Sequence, residues 1–348
     1  MFNKKIGMLG GGQLGQMAAL AASAMGLEVV PYDPNPDSPA FKVTNKHFCA
    51  AWDDKNALKE FALHVDVITY EFENIPTDTI MFLMQHKSVY PDVKLLQIAQ
   101  HRIAEKNYLN EIGIPTTDYK LLESEEQCRD LMDQWQTDFV ILKTCRFGYD
   151  GKGQALFKKT DHRMPRLDGE VIIERPVNFE QEISVIVCRD QKGAIKTYPA
   201  VTNEHRNSIL HKTIAPALCS SEIAQKAQDY AYLLAEKINL IGVLAVEFFV
   251  TKSGTLLANE IAPRPHNSGH WTIDACATSQ FEQQIRAVTG LNLGEIKPFK
   301  AAEMINLIGE DISNLKAYEN NDKIFIHDYQ KSEIREGRKM GHVTILKD

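Results

Sequence analysis

The sequence predicts an α/β protein with a parallel sheet in its first hundred residues and a small β-rich module at its C-terminal end. Three observations support this prediction. Strand-like and helix-like patterns alternate through the first hundred residues, as they do in a parallel sheet covered by helices. The middle of the chain carries strand-like runs on either side of a glycine-dense loop at 147–154. The segment after Gly294 has a β-rich pattern and ends in Gly341-His342-Val343-Thr344-Ile345-Leu346.

The first hundred residues predict two helices alternating with three strands. The strands are expected at 6–9, 28–32 and 65–70, and the shorter helix at 57–63. Apolar residues between 14 and 25 recur at helical spacing, and Gly26 follows where a C-terminal cap ends a helix. The third strand leads into Glu71-Phe72-Glu73-Asn74. Because groups just beyond the carboxyl ends of parallel strands line ligand clefts, this segment is expected at a binding site.

From about residue 101 the pattern changes to a helix at 102–112, closed by Gly113 and Pro115, and then mainly to strands. The strands are expected at 139–143, 171–174, 183–188, 194–200, 243–250 and 255–261. Ser221 is expected to cap a helix whose apolar positions run to Ile238.

The size and charge of the chain exclude several classes of protein. Its 348 residues allow two or three domains with sizeable cores. Apolar residues make up 44% and charged residues 24%, a composition typical of a folded globular protein. With 39 basic against 46 acidic residues the net charge is −7, so we expect no nucleic-acid partner. No apolar run approaches the ~18 residues of a membrane span, so we expect no membrane partner.

The cysteines indicate a reducing compartment. Six cysteines stand singly along the chain, without a C-x-x-C pair and without close spacing to histidine. This usage predicts reduced thiols, with neither a disulfide framework nor a cysteine-based zinc site. The N-terminal residues run directly into a short strand-like segment followed by glycines, a pattern unlike that of a secretion signal. We therefore expect a cytoplasmic protein.

The first glycine loop allows two interpretations. Gly10-Gly11-Gly12-Gln13-Leu14-Gly15 matches G-x-G-x-x-G between a strand and a helix, and Asp33 follows ~20 residues later. This arrangement fits a nicotinamide-dependent oxidoreductase. The same loop, however, serves any ligand that needs close backbone approach, and Pro34 and Pro36 stiffen the segment after Asp33. The loop alone does not decide between these readings.

Two acids face each other across a predicted hairpin. Glu247 interrupts an otherwise apolar strand, where a lone carboxylate is costly. If Ser253 and Gly254 form a two-residue turn, Lys252 pairs with Thr255, and counting outward places Glu247 opposite Glu260. Directly opposed side chains lie about 4.5–5.5 Å apart at Cβ, and like charges there repel.

Something must relieve the repulsion between this acid pair. Carboxylate oxygens suit Mg²⁺, which binds one or two protein carboxylates together with water and nucleotide phosphates. The alternative without a metal is a shared proton or a neighbouring arginine such as Arg264. Both interpretations remain open at this stage.

The middle of the chain also carries residues suited to phosphate. Lys143 ends an apolar strand, and Lys152 stands between Gly151 and Gly153. Glycines let the backbone fold over phosphates, and lysine ammonium groups offset their charge. The loop is not a G-x-x-x-x-G-K-[ST] motif, and alone it could be a solvated turn. Together with the acid pair and a second acidic cluster, Glu174 and Glu182, it indicates metal-dependent phosphoryl transfer.

These residues together resemble a known family. The matching segments are Gly10 to Gly15, Thr69-Tyr70-Glu71-Phe72-Glu73-Asn74-Ile75-Pro76, 147–154, the run Asn259-Glu260-Ile261-Ala262-Pro263-Arg264-Pro265-His266-Asn267-Ser268-Gly269-His270-Trp271-Thr272, and Lys331-Ser332-Glu333-Ile334-Arg335-Glu336-Gly337-Arg338-Lys339-Met340-Gly341-His342. The chain resembles the N5-carboxyaminoimidazole ribonucleotide synthetases, the bicarbonate-using ATP-grasp ligases of purine biosynthesis. The last two segments are the specific ones.

The resemblance implies an ATP-grasp fold with a Rossmann-like N-terminal domain at 1–100, an ATP-grasp domain at 101–293 and a β-rich domain at 294–348. One lobe of the ATP-grasp domain would span about 115–178. In the implied reaction ATP phosphorylates bicarbonate to carboxyphosphate, and the exocyclic amine of 5-aminoimidazole ribonucleotide takes the carboxyl group. ATP and Mg²⁺ would be required. A homodimer, and transfer of the labile product to a separate mutase, are implied as well.

The resemblance also assigns roles to residues. Residues implied to bind ATP are Arg102, Lys143, Gly148, Tyr149, Asp150, Gly151, Lys152, Gly153, Gln154, Glu174, Arg175, Pro176, Val177, Glu182, His205, Asn259 and Glu260. Residues implied to bind the ribonucleotide are Gln13, Glu73, Asn267, Ser268, Lys331 and Arg338. Catalytic roles fall to Arg264, Lys152, Asp150 and Tyr149, and Mg²⁺ binding to Glu247 and Glu260.

Two further functions compete with the one that the resemblance implies. A formate-dependent ligase acting on glycinamide ribonucleotide shares the overall logic, but the segment 331–342 argues against it. A catalytically silent binding protein would not need every proposed metal and phosphate ligand. Cys145, Pro176 and Glu336 depart from the family pattern, but none of them removes a charge assigned to chemistry.

Overall fold

The computed structural model describes residues 4–148, 151–318 and 321–348. Its N-terminal part contains the predicted parallel sheet, with strand order β2-β1-β3. The strands are β1 (Lys5–Leu9), β2 (Glu28–Tyr32) and β3 (Val67–Tyr70). The helices are α1 (Gln13–Ala24), α2 (Lys55–Leu63), α3 (Thr77–Met84) and α4 (Val93–Ala99), with a 3-10 helix at Pro39–Val43. Gly26 follows α1 with a φ of +73°, which confirms the predicted C-terminal stop.

The next part of the chain forms a four-stranded antiparallel lobe. Its elements are α5 (Arg102–Glu111), β4 (Tyr119–Leu121), α6 (Glu125–Gln134), β5 (Phe139–Thr144), β6 (Gln154–Lys158) and β7 (Val171–Glu174). The strand order is β4-β7-β5-β6, and α6 packs on the sheet through Cys128, Leu131 and Met132. The lobe therefore has a small core of its own.

A larger sheet forms the rest of the molecule. Its strands are β8 (Phe179–Arg189), β9 (Ile195–Thr197), β10 (Val201–Arg206), β11 (Ile209–Ala215), β12 (Gly242–Thr251), β13 (Leu256–Ala262), β14 (Ala302–Ile308), β15 (Ile324–Asp328) and β16 (Lys339–Leu346). The order is β13-β12-β8-β10-β11-β14-β16-β15, and β9 pairs with β8. The three C-terminal strands thus continue the central sheet, joined to it by the antiparallel pair β11 and β14. The predicted domain boundaries at about 100 and 293 stay predictions.

Helices pack on this sheet and join it to the N-terminal part. They are α7 (Ser221–Lys237), α8 (Thr272–Ala275) and α9 (Gln280–Thr289), with 3-10 helices at Asn267–Gly269 and Gly309–Tyr318. Phe281, Ile285 and Val288 of α9 share a buried apolar cluster with Ile6 and Met8 of β1. This shared core fixes the N-terminal sheet against the larger one and places the carboxyl end of β3 at the junction.

Two predicted elements differ in the structure. The strand expected at 194–200 is shorter: β9 ends at Thr197, because Pro199 has no N–H to donate and Tyr198 turns its ring into the core, where its hydroxyl donates to the carbonyl of Thr278 (2.7 Å). The next strand, β10, begins only at Val201. The residue that caps α7 is Ser220, one position before the expected Ser221; its hydroxyl accepts the N–H of Ile223 (3.3 Å). Within the described ranges, no helix combines the length and apolar character needed to cross a bilayer.

Candidate functional site

A cleft of about 800 Å³ lies where the N-terminal sheet, the small lobe and the large sheet meet. Many of the residues singled out in the sequence line it. They include Gln13, Glu73, Lys143, Lys152, Glu182, His205, Glu247, Asn259, Glu260, Arg264 and Asn267. Segments far apart along the chain therefore contribute to one site.

The predicted acid pair is present at the wall of this cleft. β12 and β13 are antiparallel, and Glu247 is paired directly with Glu260. The predicted two-residue turn is wrong: the N–H of Thr251 donates to the carbonyl of Thr255 (2.9 Å), so three residues form the loop. The third of them, Gly254, has a φ of +77°, which this three-residue turn requires. A β-bulge at Asn259 then adds one residue and restores the predicted pairing.

The electrostatics of the pair favour a positive charge close to both carboxylates. Burial, and then the charge of Glu260, raise the pKa of Glu247 to about 8. Arg102 Nη1 lies 3.2 Å from Glu260 Oε2, so the neighbouring arginine is Arg102, whereas Arg264 pairs with Glu73. His266 Nε2 lies 3.3 Å from Glu247 Oε1, but burial and then Arg264 lower the pKa of His266 to about 3, so it is neutral.

The donor atoms at this position suit a hard divalent cation. Both carboxylates border the cleft, as does Asn259 of β13, whose side-chain oxygen is buried without a hydrogen-bond partner. Oxygen ligands of this kind are those that Mg²⁺ prefers. The residues present therefore fit Mg²⁺, and Glu247 and Glu260 are the carboxylates that would hold it.

A chain of buried charges borders the small lobe. Glu174 lies between two lysines, with Oε2 2.7 Å from Lys143 Nζ and Oε1 3.2 Å from Lys106 Nζ. Burial alone would raise its pKa, but Lys143 and Lys106 outweigh burial and lower it to about 2. On the large sheet, His205 Nδ1 lies 3.3 Å from Glu182 Oε2; burial opposes protonation of His205, but Glu182 outweighs it and raises the pKa.

The second glycine loop follows β5 and faces the cleft. The carbonyl of Gly153 accepts the N–H of Thr144 (2.7 Å), and a Cβ on Gly153 would meet Thr144 Oγ1 at 2.5 Å, so no side chain fits there. Gly148, Gly151, Lys152 and Gln154 line the cleft with it. Tyr149 and Asp150, two residues expected to act there, lie outside the described residues.

Four of the residues implied to bind ATP, Glu174 to Val177, lie at the end of β7 and directly after it. Arg175 Nη1 pairs with Asp118 Oδ2 (3.1 Å), and the carbonyl of Arg175 accepts the hydroxyl of Thr117 (2.8 Å). Pro176 and Val177 continue this link towards β8. Together with Glu174 they sit beside the cleft, and they are not among the residues that line it.

The first glycine loop is held by the chain's own acids. The Glu71 carboxylate accepts the N–H groups of Gly12 (2.5 Å) and Gly15 (2.6 Å), and Asp33 accepts that of Gly11 (2.7 Å). A Cβ on Gly12 would meet Glu71 Oε1 at 2.5 Å. The N–H groups that would bind a dinucleotide phosphate are therefore already used, which argues against the nicotinamide interpretation.

We predict that Glu71→Gln lowers the free energy of unfolding by about 1–3 kcal/mol, because an amide offers one acceptor where the loop needs two. Glu71 is buried, so solvent does not replace the lost bond. Urea unfolding of the variant measures the change. Glu60→Gln, on the exposed face of α2, is the matched control and should not shift the midpoint. Equal midpoints for the two variants would contradict this role of Glu71.

The residues expected to contact the small substrates are arranged unevenly. Arg264 Nε donates to Glu73 Oε2, and this pairing outweighs burial and lowers the pKa of Glu73. Both side-chain polar atoms of Asn267 are buried without a partner, so they are available to a ligand. Ser268 is fully buried, and its hydroxyl accepts that of Ser184 (2.7 Å). Ser268 therefore packs behind the wall of the cleft and is not among the residues that line it.

The two C-terminal cations lie close together near the first glycine loop. Lys331 Nζ donates to the carbonyl of Lys339 (2.6 Å), and Arg338 Nη1 donates to that of Glu333 (2.8 Å). Burial, and then the charge of Arg338, lower the pKa of Lys331 to about 8, while Glu71 opposes the shift. A cationic pair of this kind suits a phosphate group.

Several residues of the site were not assigned from the sequence. Glu105, Lys106, His266 and Lys339 lie in or beside the cleft. Glu105 and Lys106 follow Arg102 at helical spacings of three and four, a signal that could have placed them on the same face. His270 and Trp271, which belong to one of the segments that resemble the family, are buried and pack in the core.

A second cluster of polar residues lies between α8 and the C-terminal strands. Asp274, His327 and His342 bring one possible ligand atom each within 4.8 Å of one another. The rings of His327 and His342 are stacked, with centroids 4.3 Å apart and planes 12° apart. Because the nitrogen lone pairs lie in the ring planes, they do not point to a common position. Asp274 instead pairs with His327 (2.9 Å), which is a structural contact.

Family models match all three parts of the chain. One described as the ribonucleotide synthetase preATP-grasp domain matches residues 3–100, and one described as the ATP-grasp domain matches 107–281. The third, described as the phosphoribosylaminoimidazole carboxylase C-terminal domain, matches 302–348. The last match favours the assignment of the C-terminal segment over the formate-dependent alternative.

Individual proteins are similar over nearly the whole length. An N5-carboxyaminoimidazole ribonucleotide synthase of Bacillus subtilis (strain 168) is 43% identical, over 98% of this chain and 91% of its own. A Staphylococcus aureus N5-carboxyaminoimidazole synthetase complexed with ADP has a TM-score of 0.92 at 36% identity, over 99% of this chain and 93% of its own. An Aspergillus clavatus N5-carboxyaminoimidazole synthase complexed with ADP and 5-aminoimidazole ribonucleotide has a TM-score of 0.91 at 28% identity, over 99% and 94%.

Proposed function

This chain belongs to the N5-carboxyaminoimidazole ribonucleotide synthase family, and on that premise we propose that its cleft carboxylates 5-aminoimidazole ribonucleotide. The reaction consumes ATP and bicarbonate and yields N5-carboxyaminoimidazole ribonucleotide, ADP and phosphate. The protein is an ATP-dependent ligase of the ATP-grasp type acting in purine biosynthesis.

The opposed carboxylates of Glu247 and Glu260 are the observation that carries this proposal. They lie in one cleft with the glycine loop of the small lobe and with residues of the N-terminal sheet, so a nucleotide tail and a second substrate can meet there. Mg²⁺ bound by these acids would offset the charge of the β- and γ-phosphates. Lys143, Arg102 and Lys152 supply the remaining positive charge along the nucleotide.

The chemistry has two steps. An oxygen of bicarbonate attacks the γ-phosphorus, ADP leaves, and carboxyphosphate forms. The exocyclic amine then attacks the carboxyl carbon and loses a proton, and phosphate leaves with the bridging oxygen. Arg264 suits the anionic intermediate because its backbone stands between two prolines and its guanidinium is held by Glu73 and by the carbonyl of Pro265. Carboxyphosphate decomposes in water, so the walls of the cleft must exclude solvent while it exists.

The ribonucleotide is placed between the N-terminal sheet and the C-terminal strands. Gln13, Glu73 and Asn267, which line the cleft, would face its ribose and aminoimidazole. Lys331 and Arg338, which are not among the lining residues, would hold its phosphate beside the cleft. The unpartnered amide of Asn267 supports this placement, since a buried amide without hydrogen bonds is costly until a ligand supplies them.

The pH dependence of ribonucleotide binding follows from Lys331. Its pKa is lowered to about 8, so the ammonium is charged below that pH and is lost above it. We therefore expect KM for the ribonucleotide to be flat below pH 8 and to rise by up to about tenfold per pH unit above it. Lys331→Arg keeps the charge and should flatten the profile. A wild-type KM that stays constant to pH 9.5 would contradict this assignment.

The function itself is tested by phosphate release from ATP, measured with and without aminoimidazole ribonucleotide and bicarbonate. Stimulation that requires both substrates is the expected result. Stimulation by formate with glycinamide ribonucleotide would instead favour the formate-dependent ligase. ATP binding without nicotinamide binding, measured by thermal shift, separates either ligase from an oxidoreductase.

Three further proposals rest on the family resemblance. The protein acts in the cytoplasm, where free thiols such as its six cysteines persist. Two chains associate as a homodimer, which sedimentation at micromolar concentration would test. The labile carbamate passes to a separate mutase. A lag before the mutase product appears that is shorter than free diffusion of the carbamate would give, measured with both enzymes together, would support this transfer.

A further inference from the structure

The strand that carries Glu260 lies at the edge of the large sheet. β13 pairs with β12 on one side only, so its other side would present unpaired N–H and C=O groups. The chain before β4 covers part of this edge: the N–H of Ala258 donates to the carbonyl of Pro115 (2.7 Å). The following residues of the edge face α5.

Three side chains of α5 contact three consecutive residues of β13. The carboxylate Oε1 of Glu105 accepts the N–H of Ile261 (2.6 Å), and Lys106 Nζ donates to the carbonyl of Asn259 (3.4 Å). Arg102 Nη1 donates to Glu260 Oε2 (3.2 Å). Arg102, Glu105 and Lys106 stand at helical spacings of three and four, so they share one face of α5. We call these three side chains the α5 clamp.

The clamp lies at the bulge that sets the acid pair. On the turn side of the bulge, Phe248 pairs with Ala258, and without the bulge the next pair would be Glu247 with Asn259. Because successive side chains point to opposite faces, a slip of one residue would also turn Glu260 away from the cleft. The bulge at Asn259 is therefore necessary for two carboxylates to meet at one position.

Two of the three side chains of the α5 clamp are almost completely buried, which indicates that their contacts with β13 are specific. Glu105 is 2% exposed and Lys106 is 1% exposed. Charged groups are rarely buried to this extent unless they are paired or bonded, because removing them from water is costly. Glu105 makes its bond to a backbone N–H next to a proposed metal ligand, where an apolar residue could not replace it.

We propose that Glu105 is a positioning residue that fixes the β-bulge at Asn259 and thereby holds Glu260 opposite Glu247 for Mg²⁺. This inference rests on the proposed function, since it takes the acid pair to be the metal site. Lys106 assists from the other side of the bulge and links it to Glu174. Outer partners that orient metal ligands typically change metal affinity by about 10- to 100-fold when they are removed.

The test is Mn²⁺ binding in the presence of ADP, followed by electron paramagnetic resonance, for wild type, Glu105→Gln and Glu105→Leu. The Gln side chain keeps the Oε1 acceptor for Ile261, so its affinity for Mn²⁺ should stay within about threefold of wild type, whereas Leu should weaken it at least about tenfold. Asp190→Leu is the matched control: Asp190 is also buried and accepts the backbone N–H of Lys192 (2.9 Å), but it lies at the turn between β8 and β9. This control should lower stability without changing Mn²⁺ affinity.

The outcomes distinguish a wrong metal site from a wrong role of Glu105. Failure of the wild type to bind Mn²⁺ with ADP would contradict the proposed metal site itself. If the wild type binds Mn²⁺ and the folded Glu105→Leu variant binds it with the same affinity, the role of Glu105 is overturned. The role is also overturned if Glu105→Gln loses as much Mn²⁺ affinity as Glu105→Leu. If Glu105→Leu does not fold, hydrogen exchange of the wild type decides: a protected Ile261 amide is expected, and exchange as fast as that of an exposed amide would overturn the inference.

Discussion

Glu260→Gln is expected to remove turnover while leaving the fold intact. The amide keeps the size of the side chain but loses the charge that, with Glu247, would hold Mg²⁺. We expect kcat/KM to fall at least about 100-fold. The side chain of Glu260 is 42% exposed and is repelled by Glu247, and the Gln amide keeps an oxygen that can accept from Arg102, so the free energy of unfolding should change by less than about 0.5 kcal/mol. Phosphate release and urea unfolding measure the two effects.

Glu236→Gln is the control for this variant. Glu236 is exposed on α7, and its replacement makes the same chemical change without touching the cleft. It should keep wild-type activity and stability. Turnover by Glu260→Gln within a few fold of this control would contradict the metal assignment.

Arg264→Gln is the second variant with a large expected effect. Arg264 is assigned to bicarbonate and carboxyphosphate, so bicarbonate-dependent phosphate release should fall at least about 100-fold. The change also removes the ion-pair partner of Glu73, whose carboxylate is largely buried. We expect the free energy of unfolding to fall by about 1–3 kcal/mol, as for other unsatisfied buried groups.

A double variant separates the two effects of losing Arg264. Glu73→Gln with Arg264→Gln removes both charges, so stability should recover while activity stays low. Calorimetry and phosphate release on the two single variants and the double variant complete the cycle. Recovery of activity in the double variant would show that Arg264 acts only by neutralising Glu73, which would contradict its role at the intermediate.

The hairpin shows how far sequence reasoning reaches at this site. Counting outward from a two-residue turn placed Glu247 opposite Glu260, and this pairing is confirmed. The turn, however, has three residues, and the bulge at Asn259 compensates for the difference. Nothing in the local sequence shows the bulge, because the groups that hold it come from α5, 156 residues earlier in the chain.

The N-terminal glycine loop shows the opposite case. Its strand, helix and cap follow local rules of periodicity and were predicted with small shifts at the ends. Its ligand could not be read from the motif, since Glu71 occupies the loop from 59 residues away. Hydrophobic patterns thus gave the α/β fold class, whereas contacts between distant segments decided which groups face the cleft.

The central claim is that bicarbonate takes the γ-phosphate of ATP in this cleft, and oxygen transfer tests it most directly. The enzyme would be supplied with ATP, aminoimidazole ribonucleotide and ¹⁸O-labelled bicarbonate in unlabelled water, and the released phosphate analysed by mass spectrometry at early times. The account predicts one bicarbonate oxygen in each phosphate, because the bridging oxygen of carboxyphosphate leaves with it. Phosphate that carries a water oxygen in place of the label would contradict the account.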